Sequence, residues 1–316
     1  MVNKLLLCLL FCCLSVNAMA QKDYPYPVKY LTLNIEQLPA QMAYMDVVPT
    51  RPNGQSVILF HGKNFNGYYW KDVAAFLSEK GYRVIIPDQV GWGKSDKPNI
   101  HYSFHQMAAN NKALLESLGI NDVIVVGHSM GGMLATRFAL MYPYMVSKLV
   151  LENPIGLEDY RTFVPYTPLD EQYKKEWGAT FDSYKKYMHS YFAEWKPEYD
   201  ELVRQQAAPL SAPNFEKTAW ANAVTYQMIY EQPVCYEFQT LEVKTLLIIG
   251  QEDRTVVGKD RLSTSQVSRY GQYPALGKKV KSQIPGAKLA ELPGVGHIPH
   301  IQALQQFRQA LMAFLH

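Results

Sequence analysis

Short unbroken apolar runs alternate with longer segments of helical spacing over most of this chain. The runs are "SVILFHG" (56–62), "YRVIIPD" (82–88), "DVIVVGH" (122–128), "VSKLVLENP" (146–154) and "VKTLLIIGQED" (243–253). A strand wetted on one face alternates polar with apolar residues. These do not, which predicts strands covered on both faces, as in a parallel sheet between helices. "YWKDVAAFLSEKG" (69–81), "SFHQMAANNKALLESLGI" (103–120) and "MGGMLATRFALMYP" (130–143) carry the helical period between them. Gly81 stops the first of these, and Ser103 is placed to cap the second. "KYLTLNI" (29–35) and "QMAYMDVV" (41–48) alternate partially and predict a leading hairpin. "AKLAELPGVGH" (287–297) holds a weaker strand, and "IQALQQFRQALMAFLH" (301–316) a closing helix.

The beat breaks at residue 157. From there to 240 no strong strand is legible, and aromatics from Tyr160 to Phe238 are frequent. The pattern predicts an α/β fold with a mostly parallel sheet, helices on both faces, and a helical insertion over one end. The core is residues 21–156 and 241–316, and the insertion is 157–240. "GKDRLSTSQVSRYGQYPAL" (258–276) reads as a longer-than-usual loop.

Composition narrows the class. The chain has 316 residues, 48% apolar and 19% charged, enough for a large core. Its 31 Lys+Arg against 28 Asp+Glu give +3, too balanced to argue for nucleic acid or an anionic membrane. "MVNKLLLCLLFCCLSVNAMA" has an early lysine, an apolar stretch from Leu5 to Leu14 and a small-x-small end. It reads as a secretory signal cut after Ala20, so export to a periplasm or the medium is expected. The apolar stretch is too short to span a bilayer comfortably, so no stable membrane insertion is expected. Cys8, Cys12 and Cys13 leave with it. Cys235 remains, without an internal disulfide, and reads as a buried cysteine.

"G127-H-S129-M-G131" fits G-x-S-x-G between a predicted strand and a predicted helix. A serine held there sits on a tight turn at the sheet's edge, which only near side-chain-free neighbours allow. A serine hydroxyl is a weak nucleophile and needs a base, which in turn needs an acid. Asp253 follows the strand "TLLIIG", and His297 sits on the glycine-freed loop "PGVGH". The chain order Ser129, Asp253, His297 is the one this architecture requires. Glu252, and more remotely Glu152, are alternative acids. The eight histidines show no metal-ligand spacing, and neither metal nor organic cofactor is implied.

"LFHGKNFNGYYW", "VIIPDQVGWGKSDKP", "VVGHSMGGMLATRFALMYP", "IIGQEDRTV" and "LPGVGHIPH" together resemble the α/β-hydrolases. Within that family the pattern looks like the group of lid-bearing esterases, lactonases and epoxide-hydrolase-like proteins. That resemblance implies an eight-stranded sheet with a helical lid after the sixth strand. It implies an oxyanion hole made by the backbone N–H groups of Met130 and Lys63, the latter from "HGK". It makes His61 and Trp92 candidate substrate contacts, with His61 more readily a brace for its loop. Asp88 becomes a structural residue that bonds turn amides. Serine at 129 disfavours epoxide opening and halide displacement, which need an aspartate. "HGKNFNG" departs from the His-Gly-x-Gly-Pro-Gly of carbon–carbon hydrolases, while cofactor-free haloperoxidases share the triad. A Tyr-rich lid suits a bulky ester or a cyclic ester with polar decorations, as in macrolide-type lactones, and the chain is similar to integron-associated esterases of that sort. The bland alternative has half the lid aromatics merely packing. A small-molecule ester or lactone is thus the expected substrate. The intact triad argues against a non-catalytic binding protein.

Overall fold

The computed structural model describes residues 24–316. The expected signal segment, 1–20, lies outside the described residues. The leading hairpin is β1 (Val28–Ile35) and β2 (Leu38–Val47), paired antiparallel. Glu36 and Gln37 turn it with φ of 51° and 67°, the left-handed geometry that a tight hairpin demands. Then come β3 (Ser56–Phe60), β4 (Arg83–Pro87), β5 (Val123–His128), β6 (Val146–Glu152), β7 (Thr245–Gly250) and β8 (Lys288–Leu292). The strands form one 8-stranded sheet in the order β1-β2-β4-β3-β5-β6-β7-β8. β2 runs antiparallel to β4, and the pairs from β4 through β8 are parallel. Every residue of β5 and β7 is buried, which is why their sequences carry no alternation.

The helices fall on both faces. α1 (Lys71–Glu79) buries Val73 and Leu77 in an apolar cluster that also holds Phe307 and Leu311. α2 (Phe104–Ser117) and α3 (Met130–Met141) contribute Leu114, Leu134 and Phe138 to the other cluster. Ser103 caps α2 by accepting from Gln106 N, as its position suggested.

Between β6 and β7 the chain forms α4 (Leu169–Trp177), α5 (Phe181–His189), α6 (Asp200–Ala207) and α7 (Phe215–Glu231), and no strand. α5 and α6 pack on one apolar cluster, through Met188 and Val203, and α7 packs on the other, through Tyr226 and Met228. Tyr160, Phe163, Phe192, Tyr199, Phe215 and Phe238 are buried, so much of the aromatic content of 157–240 is packing.

The structure corrects the sequence reading in three places. The 258–276 stretch is not a loop. It contains α8 (Thr264–Arg269), opened by a Ser263–Gln266 capping box, and the start of α9 (Tyr273–Gln283), opened by Pro274 in its first turn. α9 buries Leu276 and Val280, at four-residue spacing. The closing helix is broken at Ala303 (φ −141°) into α10 (Pro299–Gln302) and α11 (Leu304–Leu315). The short first piece holds His300 against the buried Glu152, a tertiary demand that overrides local propensity. Cys235 is only half-buried against the core, and partial burial pushes its thiol up.

Candidate active site

Ser129 joins the end of β5 to the start of α3 at φ 56° and ψ −120°, a region that non-glycine residues avoid. The neighbours make this turn possible. A Cβ on Gly127 would lie 2.2 Å from Gly131 O, and one on Gly131 would lie 2.2 Å from Phe60 O. A Cβ on Gly132 would meet Pro154 Cβ at 2.5 Å. Ser129 N donates to Glu152 O, while Ser129 O accepts from Gly132 N and Ile155 N. The strained turn is thereby pinned from both flanking elements.

Asp253 and His297 arrive from the segments that follow β7 and β8, at the same edge of the sheet. His297 Nδ1 lies 2.7 Å from Asp253 Oδ2, and its Nε2 lies 2.9 Å from Ser129 Oγ. A carboxylate only accepts, so Nδ1 carries the hydrogen and Nε2 presents a lone pair to the serine O–H. All three groups are buried, with Ser129 at 5% exposure. Burial alone would push the Asp253 carboxyl up. The electrostatic pull of the adjacent His297 and bonds from His297, Thr255 and Asn153 outweigh it and hold the carboxyl below its ordinary value. Thr255 N donates to Oδ1 at 2.8 Å and Asn153 Nδ2 to Oδ2 at 2.6 Å. Asn153 is itself oriented by Gly250 N, which donates to its Oδ1 at 2.9 Å. Glu252 is exposed on the turn beside Asp253 and does not meet His297.

The 61–63 loop lies against the serine, since a Cβ on Gly62 would meet Ser129 Cβ at 3.1 Å. The N–H groups of Lys63 and Met130 donate to no acceptor among the described residues. Met130 is the first residue of α3, where the helix dipole favours negative charge. His61 is buried with both ring nitrogens on backbone. Nδ1 bonds Gly62 O at 2.9 Å, and Nε2 accepts from Gln89 N at 3.0 Å. It braces the loop, and burial pushes its pKa down. Trp92 packs edge-on to His61 and borders a cleft beside Lys63. Asp88 takes turn amides as expected, from Gly67 N and Lys94 N, each at 2.7 Å.

Residues that sequence spacing did not single out tie these parts together. His128 Nε2 lies 2.8 Å from His297 O and Nδ1 lies 3.0 Å from Tyr69 Oη, while Tyr69 Oη accepts from Gly62 N at 2.9 Å. The carbonyl can only accept, so Nε2 donates, Nδ1 accepts the tyrosine proton, and the chain is satisfied with His128 neutral. Burial agrees, taking the pKa of His128 down to about 3. Tyr191, in the segment after α5, accepts at its carbonyl from His297 N at 2.7 Å and at its hydroxyl from Asn64 Nδ2 at 3.1 Å. The helical segment thus grips both the histidine and, at Asn64, the chain just after the 61–63 loop. Glu152 turns away from His297 and bonds His300, whose N donates at 2.7 Å and whose Nδ1 lies 2.9 Å off. Asp253 is left alone with the histidine. No local pattern announces these partners, because each contact joins distant parts of the chain.

This buried cluster predicts the acid response. Burial pushes His128 and His300 down to about 3, while Glu152 is pushed up to about 7. Below about pH 6.5 the unfolded chain protonates both histidines and the folded chain does not, so stability falls as pH drops toward 3. Glu152 acts oppositely between its ordinary value and 7, keeping a proton the unfolded chain gives up. The depressed histidines, His61 among them, outnumber the raised carboxyls of Glu152 and Glu158, so the urea midpoint is expected to fall on acidification from about pH 7 to about pH 4.5. His128→Gln, whose amide can still reach His297 O, should flatten that fall. An unchanged slope would count against the assignment.

A family model described as "alpha/beta hydrolase fold" matches residues 55–304. A crystal structure of a probable hydrolytic enzyme from Pseudomonas aeruginosa PAO1 is 46% identical, covers 93% of this chain and 96% of its own, and superposes with a TM-score of 0.91. A 2-hydroxy-6-oxo-2,4-heptadienoate hydrolase of Pseudomonas putida is 25% identical over 240 residues, 71% of this chain and 82% of that protein. An uncharacterized protein of Mycobacterium bovis is 39% identical over 105 residues, 33% of this chain. There the match spans only 30% of the relative's length. Among the described residues no helix is long and apolar enough to cross a membrane.

Proposed function

This chain belongs to the alpha/beta hydrolase fold family, and on that premise we propose that it is a serine hydrolase of carboxylic esters and lactones. The observation that carries the reading is the pair of bonds from His297, at 2.9 Å to Ser129 Oγ and 2.7 Å to Asp253 Oδ2. In the first step Nε2 of His297 takes the serine proton as Oγ attacks the ester carbonyl carbon. Asp253 holds the ring in that tautomer and stabilises the imidazolium. The carbonyl oxygen, now negative, points at the N–H groups of Met130 and Lys63, donors of a kind worth about 10²–10³ in rate. Collapse expels the alcohol, which leaves with the proton from His297, and Ser129 holds the acyl group. Water, deprotonated by the same nitrogen, then releases the acid and restores the serine.

The 157–240 segment serves as a lid over this site, and residues 1–20 direct export. The buried serine requires that the lid part to admit substrate. Macrolide-type lactones are candidate substrates, since they combine a ring ester with hydroxyls and bulk. A second reading is hydrolysis of a carbon–carbon bond, favoured by the Pseudomonas putida relative's name. The loop "HGKNFNG" argues against it.

A panel of p-nitrophenyl esters, lactones including macrolides, and a vinylogous diketone separates these readings. Ester turnover and a lactone mass gain of one water are expected. Turnover of the diketone alone would replace the esterase reading with the second one, and no turnover of any member would end both.

A further inference from the structure

A small cleft, about 70 Å³ in volume, lies between the 63–66 loop, the 91–97 turn and helices α5, α6 and α7. It shares Asn64, Phe65, Asn66, Gln205 and Gln206 with a second hollow that reaches Tyr69. Lys63 lines the cleft, and its backbone N–H is the proposed oxyanion donor. The loop thus borders the cleft at Lys63 and the nucleophile at Gly62, where an added Cβ would meet Ser129 Cβ at 3.1 Å.

Three residues of the lining carry side-chain polar atoms that the protein leaves unanswered. Trp92 Nε1, Gln205 Oε1 and Gln206 Oε1 are buried without a hydrogen-bond partner. Trp92 is 5% exposed and Gln205 is 7% exposed. Gln205 Nε2 donates to Glu201 Oε1 at 3.0 Å, which fixes the amide and leaves Oε1 as its free acceptor. A buried polar atom without a partner is costly, so one donor and two acceptors on residues around one cleft favour an occupant that can hydrogen-bond over one that cannot.

The ligand's chemistry follows from what these groups can and cannot do. An apolar group would leave all of them unpaired. An anion would find little free cation, since Lys63 Nζ is paired with Glu176 at 3.3 Å and Lys97 Nζ donates to Gly93 O and Ser95 O. Burial also pushes the Lys97 ammonium down, so it holds charge reluctantly. A hydroxyl both donates and accepts, and adjacent hydroxyls answer an indole N–H and an amide oxygen together. Phe65, Trp92 and Tyr184 supply apolar faces for the intervening carbons.

We propose that this cleft binds a neutral, hydroxyl-rich part of the substrate, such as a polyol or sugar portion, through Trp92, Gln205 and Gln206. The inference rests on the hydrolase reading for its setting. A site built to bond a hydroxyl rejects the analogue that lacks it, whereas an apolar pocket barely distinguishes the two.

Isosteric ester pairs test it. Butyrylglycerol against 2-methylbutyl butyrate places the diol on the alcohol side, and methyl glycerate against methyl 2-methylbutyrate places it on the acid side. In at least one pair the hydroxylated ester should show a KM lower by about tenfold or more. Gln205→Leu should raise that KM toward the apolar ester's, with a smaller change in kcat, and Gln206→Leu should act in the same direction. Ligand-observed NMR on the Ser129→Ala protein, which cannot turn the esters over, should rank binding in the same order. Equal or tighter binding of the apolar member in both pairs would overturn the proposal, as would a preference untouched by Gln205→Leu. Failure of the hydrolase reading would look different. The wild-type protein would then turn over no ester, and the binding comparison would still decide the cleft.

Discussion

Ser129→Ala is expected to lower kcat for ester hydrolysis by about 10⁵–10⁶-fold, with KM changed little, as measured by steady-state release of p-nitrophenol. The size follows from the site's division of labour. Removing Oγ removes the only group that can form the acyl-enzyme, and His297 then faces a methyl group instead of the hydroxyl 2.9 Å away. The loop at 61–63, the N–H of Met130 and the contacts of the 157–240 segment remain, so substrate still binds and a residual rate above that in water persists. The backbone strain persists too, because alanine also carries a Cβ at φ 56°. Ser129→Gly separates the two effects. It should be as inactive as the alanine variant, yet more stable by about 1–3 kcal/mol, since glycine takes this turn freely. Strain retained for function at the nucleophile would then be visible as a gain in urea midpoint.

Asp253→Ala is expected to cost about 10⁴-fold in kcat. The imidazole would lose the acceptor that fixes its Nδ1 hydrogen, and either tautomer could then form. The imidazolium generated during attack would also lose its counter-charge in a site where water cannot replace it. The variant should be less stable as well, because Thr255 N and Asn153 Nδ2 now donate to Oδ1 and Oδ2 and would be left buried without acceptors. The two losses should not add. The Ser129→Ala, Asp253→Ala double variant should be about as slow as Ser129→Ala alone, because a base without a nucleophile accelerates nothing. Additive losses in kcat would mean the residues act separately, against the geometry described.

Much of this arrangement was written into the chain. Apolar runs without alternation located the parallel strands, because burial on both faces leaves no place for polar residues. The nucleophile's turn was legible for a steric reason. Gly127, Gly131 and Gly132 stand where any Cβ would strike backbone or Pro154. Asp253 and His297 were legible because each follows a strand that runs parallel to the one that ends at Ser129, and so ends at the same edge of the sheet. What stayed hidden depends on contacts between distant segments. Glu152 stands at a strand end, where an acid could be, yet a short helical turn delivers His300 to it and removes it from the competition. That same contact breaks the closing helix at Ala303, although the sequence there keeps a helical period. Tyr69 and His128 form a satisfied chain only because Gly62 and the carbonyl of His297 meet them in three dimensions. In 258–276, polar composition concealed two helices whose signals were a capping box and a proline in a first turn.

Covalent labelling tests the central claim most directly. A fluorophosphonate should add its phosphonyl group to the peptide that carries Ser129, as read by mass spectrometry of a digest, and His297→Ala should slow that addition at least about 10³-fold. An unlabelled Ser129 in folded protein, or labelling equally fast without His297, would contradict an account in which this histidine activates this serine.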